Sequence, residues 1–363
     1  MIKRVVLTGG PGSGKTTVIE SIQKNFGSKY KIIIVDETAS HLINMGIRPF
    51  GESQVPLLDF QELVLREQLT KEDLVNKSLD FIPNDNILII YDRGILDNCA
   101  YISKEEFQEI LNRLEEKHTI NEFLNRYDLI VNLVSRKDFY TTDNNPARTE
   151  AVEEALNLGN KTLQAWLGHN NLKIVLPKDD INEKIKEVLN HINKILEEKQ
   201  VKSQKKYIVD IDKTNLEYLK SISKIAHLKQ TYLESDPSIE KRIREKSFDG
   251  NKSYTYTIHK KTKDGLKIKV SEESISKRMY NKLLDFKDNN KETIEKDRYY
   301  FSYKDGYFTL DIIDNYGILE INITDEKKID LPPFIEVIED VTFNQNFQNI
   351  NIATKTCKQL TKK

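Results

Sequence analysis

The stretch "GGPGSGKTT", residues 9–17, follows the apolar run "RVVLT" and leads straight into "KTTVIESIQKNF", which has helical spacing. Gly9, Gly10, Pro11, Gly12, Ser13, Gly14, Lys15 and Thr16 fit G-x-x-x-x-G-K-[ST], with Thr17 next in line. Glycines let backbone N–H groups curl around phosphate oxygens, and a helix beginning near Lys15 points its positive end at the same anion. In such a loop the Lys15 ammonium bridges β- and γ-phosphates and the Thr16 hydroxyl ligates Mg²⁺. Gly10, Gly12, Ser13, Gly14, Lys15, Thr16 and Thr17 are the expected nucleotide contacts.

Outward from the loop, strand-like and helix-like pieces alternate. "YKIIIVDE", "NILIIYD", "YDLIVNLV" and "LKIVLP" read as buried strands. "LDFQELVLREQLTKEDLV", "KEEFQEILNRLEEK", "ARTEAVEEALNLGNKTLQAWLG" and "INEKIKEVLNHINKILEEK" read as helices. That order predicts an α/β domain, a parallel sheet with helices on both faces, over residues 1–198. Ligands of such sheets bind beyond the carboxyl ends of the strands. Asp92, closing one strand, is the expected second Mg²⁺ anchor. Asp36 and Glu37 close another, and Glu37 is the candidate to orient or deprotonate an acceptor hydroxyl. Arg93 follows Asp92. "SRKDFYTTDNNPARTE", residues 135–150, reads as a polar lid with Arg136, Lys137 and Arg148, of which Arg148 is the preferred catalytic arginine.

At 363 residues the chain exceeds one ordinary core. Lys plus Arg (56) nearly cancels Asp plus Glu (57), so net charge argues for no nucleic-acid partner. Cys99 and Cys357 have no paired spacing, which excludes a disulfide framework or thiolate metal site. No apolar run approaches a membrane span, and a cytoplasmic location is the default expectation. "EEKQVKSQKK" reads as a linker, with residues 199–206 joining linker to the next strand. Strands dominate residues 207–352, and residues 353–363 form a basic tail expected to be flexible. In that half, apolar and charged residues alternate in an up-and-down order of strands. Two readings fit: a sheet with one solvated face, or a barrel with charges turned inward.

Together "GGPGSGKTT", "VDETAS", "YDRGILDNCAYIS", "FYTTDNNPARTE" and "AWLGHNNLKIV" resemble the AAA-type P-loop NTPase domain of the group that includes the ribosylnicotinamide kinase domain and the TRPL translocation defect protein of insects. The resemblance covers about residues 1–195. It implies Lys15 and Thr16 as phosphate and metal contacts, Asp92 and Arg93 as active-site residues, Arg148 as lid arginine, and His169 near the base. It does not separate ATP from GTP, and the chain has no N-K-x-D base reader.

From about residue 202 to 352, "LKQTYL", "EKRIREK", "YTYTIHK", "EKDRYYF", "TLDII", "GILEIN" and "LPPFIEVIEDVT" follow the motif order of the CYTH domain, a triphosphate-tunnel fold. This resemblance implies an α+β antiparallel barrel with inward charges. Its basic half is Lys206, Arg242, Arg244, Lys246, Lys296 and Arg298. Its acidic half is depleted: Lys202, Gln204, Val270 and Asn322 stand where the family has carboxylates, while Glu272, Asp311 and Glu320 remain. Tunnel catalysis is therefore expected to be weak or absent, with binding of a phosphorylated small molecule or lipid headgroup retained.

The combined expectation is an Mg²⁺-dependent NTPase using ATP or GTP, with a second domain that recognises a phosphorylated ligand. Two alternatives stand beside it: a small-molecule kinase, and a non-catalytic GTP- and phospholipid-binding regulator.

Overall fold

The computed structural model describes residues 1–51, 54–83, 86–135, 152–197, 203–261, 267–314, 316–323 and 330–354. The chain divides into two compact units, Met1–Val201 and Lys202–Lys363.

In the first unit, β1 (Ile2–Thr8), β2 (Lys31–Val35), β3 (Ile87–Asp92), β4 (Leu129–Leu133) and β5 (Leu172–Val175) form a parallel sheet in the order β2-β3-β1-β4-β5. Strands buried on both faces must be apolar almost throughout. Val5, Val6, Leu7, Leu88, Ile89 and Ile90 meet that demand, each fully buried. Burying such a side chain stabilises by about 1.5–3 kcal/mol relative to leaving it exposed. The connections run through α1 (Lys15–Phe26), α2 (Thr38–Asn44), α3 (Leu57–Leu79), α4 (Lys104–Arg113), α5 (Ile120–Leu124), α6 (Val152–Ala165) and α7 (Ile181–Leu196). On α1, Val18, Ile22 and Phe26 face the core at helical spacing, and Val188, Ile192 and Ile195 of α7 join them. Register places Leu7 beside Asp92 and Thr8 beside Asn132. The polar residues at the strand ends thus lie level along one edge of the sheet.

The second unit is a nine-stranded antiparallel sheet: β6 (Ser203–Asp210), β7 (Lys224–Leu233), β8 (Ile239–Phe248), β9 (Asn251–Lys261), β10 (Lys267–Ser274), β11 (Ile294–Tyr303), β12 (Gly306–Ile313), β13 (Tyr316–Ile323) and β14 (Glu336–Asp340). Their order is β10-β9-β8-β7-β11-β12-β13-β6-β14. Two expectations change here. The order is not simply up-and-down, because β6 crosses to lie between β13 and β14; α8 (Leu216–Ile222) spans the connection to β7. Nor does the sheet close into the expected barrel: among the described residues β10 and β14 are edges with no pairing to each other. Both edge ladders carry an irregularity, between Lys269 and Ser271 on β10 and between Val337 and Glu339 on β14. Bulges at an edge twist the strand and interrupt further pairing.

The period of two sorts this sheet into unlike faces. Tyr207, Tyr299, Phe301, Phe308, Leu310, Leu319 and Ile321 pack with Leu219 of α8 into an apolar core. The intervening residues, among them Lys206, Lys296, Arg298, Asp311 and Glu320, turn to the other face. A further helix, α9 (Lys277–Leu284), packs Tyr280 against Tyr254 at 4.9 Å between ring centroids, and α10 (Asn349–Ile352) follows β14.

Candidate functional site

Residues 9–14 join β1 to α1 at the carboxyl edge of the sheet. Two glycines are dictated by space and backbone. A Cβ on Gly9 would lie 2.1 Å from the Leu133 carbonyl oxygen. Gly14, the N-cap of α1, has φ 88, a left-handed conformation that L side chains rarely adopt. Gly10 packs against Ala155 and Gly159 of α6, Gly12 also has positive φ, and Ser13 is buried with no hydrogen-bond partner for its Oγ among the described residues. Lys15 is half-buried, whereas Thr16 and Thr17 in the first turn are exposed. Ser135 Oγ donates to the Pro11 carbonyl at 2.9 Å and pins the loop to the end of β4.

Four charged groups crowd this edge. Arg93 has φ 72, a strained backbone for a non-glycine residue, and donates from Nε to Glu37 Oε1 at 2.5 Å and from its guanidinium to the Gly9 carbonyl at 3.2 Å. Ser40 donates to the other Glu37 oxygen at 2.9 Å. Burial works against the Glu37 charge, yet Arg93 and Lys15 hold its carboxyl down to about 2. A carboxylate so firmly held is a poor proton acceptor at neutral pH, which counts against Glu37 as a general base. Asp92 differs. Burial pushes its pKa up against the opposing pull of Lys15, and its Oδ1 is buried without a hydrogen-bond partner among the described residues. Burial and the charge of Arg93 in turn push Lys15 down.

Residues 4–184 match the AAA domain family. With the five-stranded parallel sheet, that match supports a P-loop NTPase-like unit. No curated protein matches the chain. Similar solved structures include the PH1819 protein of Pyrococcus horikoshii OT3 (19% identity, TM-score 0.27), the PH1012 protein of the same organism (12%, 0.25) and a conserved hypothetical protein from Pyrococcus furiosus (17%, 0.26). Each match covers 34% of this chain and 80%, 80% and 81% of the respective structure.

Several residues at this edge give little sign of themselves in the sequence. Asp97, in the 3-10 turn Ile95–Ala100, accepts hydrogen bonds from Thr8 Oγ1 at 2.6 Å, Trp166 Nε1 at 2.7 Å and the Gly94 amide at 3.1 Å. It ties the last residue of β1 to the segment after α6. Lys184 of α7 donates to the carbonyls of Ser13 and Val134, both at 2.9 Å. The available signal was a lysine placed four residues before Val188 on the largely apolar buried face of the helix, which also carries His191. His169, expected near the base, has both ring nitrogens engaged within the fold: Nδ1 accepts from the Asn171 amide at 3.0 Å and Nε2 lies 3.0 Å from the Tyr127 carbonyl. Arg136, Lys137 and Arg148 lie outside the described residues. Among the described residues no helix is long and apolar enough to cross a membrane, and no three His, Cys, Asp or Glu converge as a metal cluster. Mg²⁺ fits the AAA domain edge nonetheless, because it usually takes one or two protein oxygens and completes its shell with phosphate and water. Asp92 Oδ1 and the Thr16 hydroxyl supply oxygens of that kind.

The polar face of the second unit gathers the other predicted residues. Asp311 accepts from Arg298 Nε at 2.5 Å, Arg298 NH2 at 2.6 Å and Lys296 Nζ at 2.5 Å. Glu320 accepts from Lys206 at 2.7 Å and from Gln204 at 3.1 Å, with Arg298 at 3.8 Å. Burial opposes both carboxylate charges, but the cations hold both below their ordinary values. Arg244 donates to Gln230 at 3.2 Å; burial and then the charges of Arg242 and Arg298 push it down to about 10. The Nε atoms of Arg242 and Arg244 have no partner among the described residues. Lys246 lies 4.8 Å from the Phe248 ring centroid and 5.3 Å from that of Tyr300. Glu272 is exposed and accepts from Thr257 at 3.3 Å. Val270 is 60% exposed on the edge strand β10, where a metal-binding carboxylate was the family expectation.

Proposed function

We propose that the protein is an Mg²⁺-dependent NTPase whose second unit binds a phosphorylated ligand without efficient turnover. The observation that carries the nucleotide reading is Asp92 Oδ1, buried and without a partner among the described residues, beside a half-buried Lys15 whose pKa is lowered by desolvation and Arg93, both at the mouth of a loop whose backbone is opened by Gly9, Gly12 and Gly14. Desolvated charges left without partners lower stability, and such groups cluster where a ligand completes them.

In this reading the loop amides and Lys15 bind the β- and γ-phosphates, and Thr16 with Asp92 would hold Mg²⁺. Bound there, the ion neutralises charge on the transferring phosphoryl group. Glu37 acts by fixing Arg93, whose guanidinium also reaches the Gly9 carbonyl and is therefore oriented before nucleotide arrives. Arg148 is proposed to add a positive charge in the transition state. Kinase chemistry with Glu37 as base is the weaker alternative, because Arg93 already occupies that carboxylate.

For the second unit, the support is the pair Arg242 and Arg244, whose Nε donors are unmet among the described residues, against Lys206, Lys296 and Arg298, which Glu320 and Asp311 already engage. The ligand would be gripped by the first pair and Lys246. With so few carboxylates remaining for metal, hydrolysis there is not expected.

Calorimetry of the whole chain with ATP and with GTP, each with Mg²⁺, followed by a phosphate-release assay without added acceptor, tests the proposal. Binding of at least one nucleotide and release of phosphate are expected. No heat with either nucleotide would overturn the cleft assignment, and rapid tripolyphosphate hydrolysis surviving Lys15→Ala would overturn the reading of the second unit.

A further inference from the structure

Lys184 belongs to no motif, yet it is a buried lysine in direct contact with the phosphate loop. It projects from the core-facing side of α7 and is 5% exposed. A buried ammonium normally sits against a carboxylate. This one is held by two neutral acceptors, the Ser13 carbonyl inside the phosphate loop and the Val134 carbonyl at the end of β4, each at 2.9 Å. The charges acting on it are Lys15, brought by α1, which repels it, and Glu187 on its own helix, which attracts it. Glu187 is shared, lying 3.2 Å from Lys178 in the segment after β5.

The consequence is a cation beneath the loop whose attracting charge among the described residues is Glu187, which Lys178 shares. Burial, and after it the charge of Lys15, bring its pKa down to about 8. A polyphosphate seated in the loop would place negative charge near both lysines and favour the ammonium forms again.

We infer that Lys184 is a positioning residue that fixes the Ser13 carbonyl, and with it the amides that follow, and that it couples nucleotide binding to uptake of a proton from solvent. The inference rests on the nucleotide reading above. Its balance is simple: above the pKa of the free protein, the neutral Lys184 amine takes one proton as the nucleotide binds, giving the ammonium that donates to Ser13 and Val134. Below that pH the ammonium is already present and no proton moves. Affinity is therefore flat at neutral pH. It weakens as the pH rises past about 8, by up to tenfold per pH unit, until the pKa of the complex is reached.

Lys15 also has a lowered pKa and faces the same ligand, so the experiment must separate the two. Calorimetry of the full chain with Mg-ATP and Mg-GTP, from about pH 7 to about pH 9.5 in two buffers of different ionisation heat, measures both affinity and protons taken up. Wild type is expected to show the bend in affinity and an uptake approaching one proton at the alkaline end. Lys184→Arg keeps a cation that does not titrate, so it should bind nucleotide while losing most of the bend and the uptake. Lys184→Met, if circular dichroism shows it folded, should bind at least tenfold more weakly at neutral pH. A Lys184→Arg protein that keeps the wild-type bend and proton count would overturn the inference and leave Lys15 as the source. A wild type with no bend at all would overturn it too. If wild type binds neither nucleotide at any pH, the nucleotide reading falls first and this inference with it.

Discussion

The two units treat buried charge in opposite ways. At the carboxyl edge of the parallel sheet, Asp92 and Lys15 are desolvated and incompletely answered by neighbours. On the polar face of the antiparallel sheet, Asp311 alone takes three donors from Lys296 and Arg298, and Glu320 is answered by Lys206. Charges that answer one another stabilise the fold they sit in, whereas charges held apart store affinity for something else. In the proposed reading, the contrast separates a site kept ready for a ligand from a cluster that is largely structural, with Arg242 and Arg244 as the part of the second face left to bind.

The largest effect expected from this contrast lies in the second unit. Asp311→Ala would strand two buried cations and should cost roughly 3–5 kcal/mol in urea unfolding of that unit, with nucleotide affinity unchanged. A loss below about 1 kcal/mol would show the cluster is hydrated and dispensable. The same carboxylates give an acid signature. The folded pKa values of Asp311 and Glu320 lie below their unfolded values, so their contribution is full above about pH 4 and is lost as the pH falls through the folded values. Next, Lys15→Ala should weaken Mg-nucleotide binding by about one to two orders of magnitude, because charge-assisted contacts to phosphate carry roughly 1.5–3 kcal/mol. Unchanged calorimetric affinity would remove the cleft from the proposal.

Glu37→Gln should slow phosphate release by roughly tenfold while moving nucleotide affinity by about twofold or less, since its part is to orient Arg93. Equal losses in both would contradict that role. The smallest effect is the most diagnostic. Asp92 is an acid whose folded pKa is raised, so its ionised form costs stability at neutral pH. Asp92→Asn should therefore raise the melting temperature of the first unit by roughly 2–4 °C, about 1 kcal/mol, while weakening the Mg²⁺ dependence of nucleotide binding. A lower melting temperature would mean the carboxylate is already satisfied by groups of the fold.

Much of the first unit was legible because its signals are local. A buried parallel strand needs an unbroken apolar run, and "RVVLT" and "NILIIYD" could be little else. The phosphate loop declared itself by spacing alone. What stayed hidden depends on contacts far apart in the chain. Arg93 meets Glu37 across 56 positions, Trp166 meets Asp97 across 69, and Lys184 meets Ser13 across 171. Nothing within a window of residues reports such a meeting. The short helix Thr38–Asn44 was missed for a different reason: seven residues give too few turns for a periodic signal. In the second unit, alternation identified the strands but not their neighbours, so the crossing of β6 to the far side of β13 and the open edge went unread. Period-two patterning fixes which face a residue takes and says little about which strand lies beside it.

Trp166 is the chain's sole tryptophan, fully buried, and its ring packs so tightly on Gly94 that an added Cβ would come within 2.5 Å of it. Its indole nitrogen ends on the same carboxylate oxygen that receives Thr8, the residue immediately before the glycines. The molecule therefore contains a single indole, hydrogen-bonded through Asp97 to the root of the glycine loop and excitable apart from its tyrosines. A displacement of that root on filling should shift the emission spectrum of the unlabelled protein, making occupancy visible by light alone.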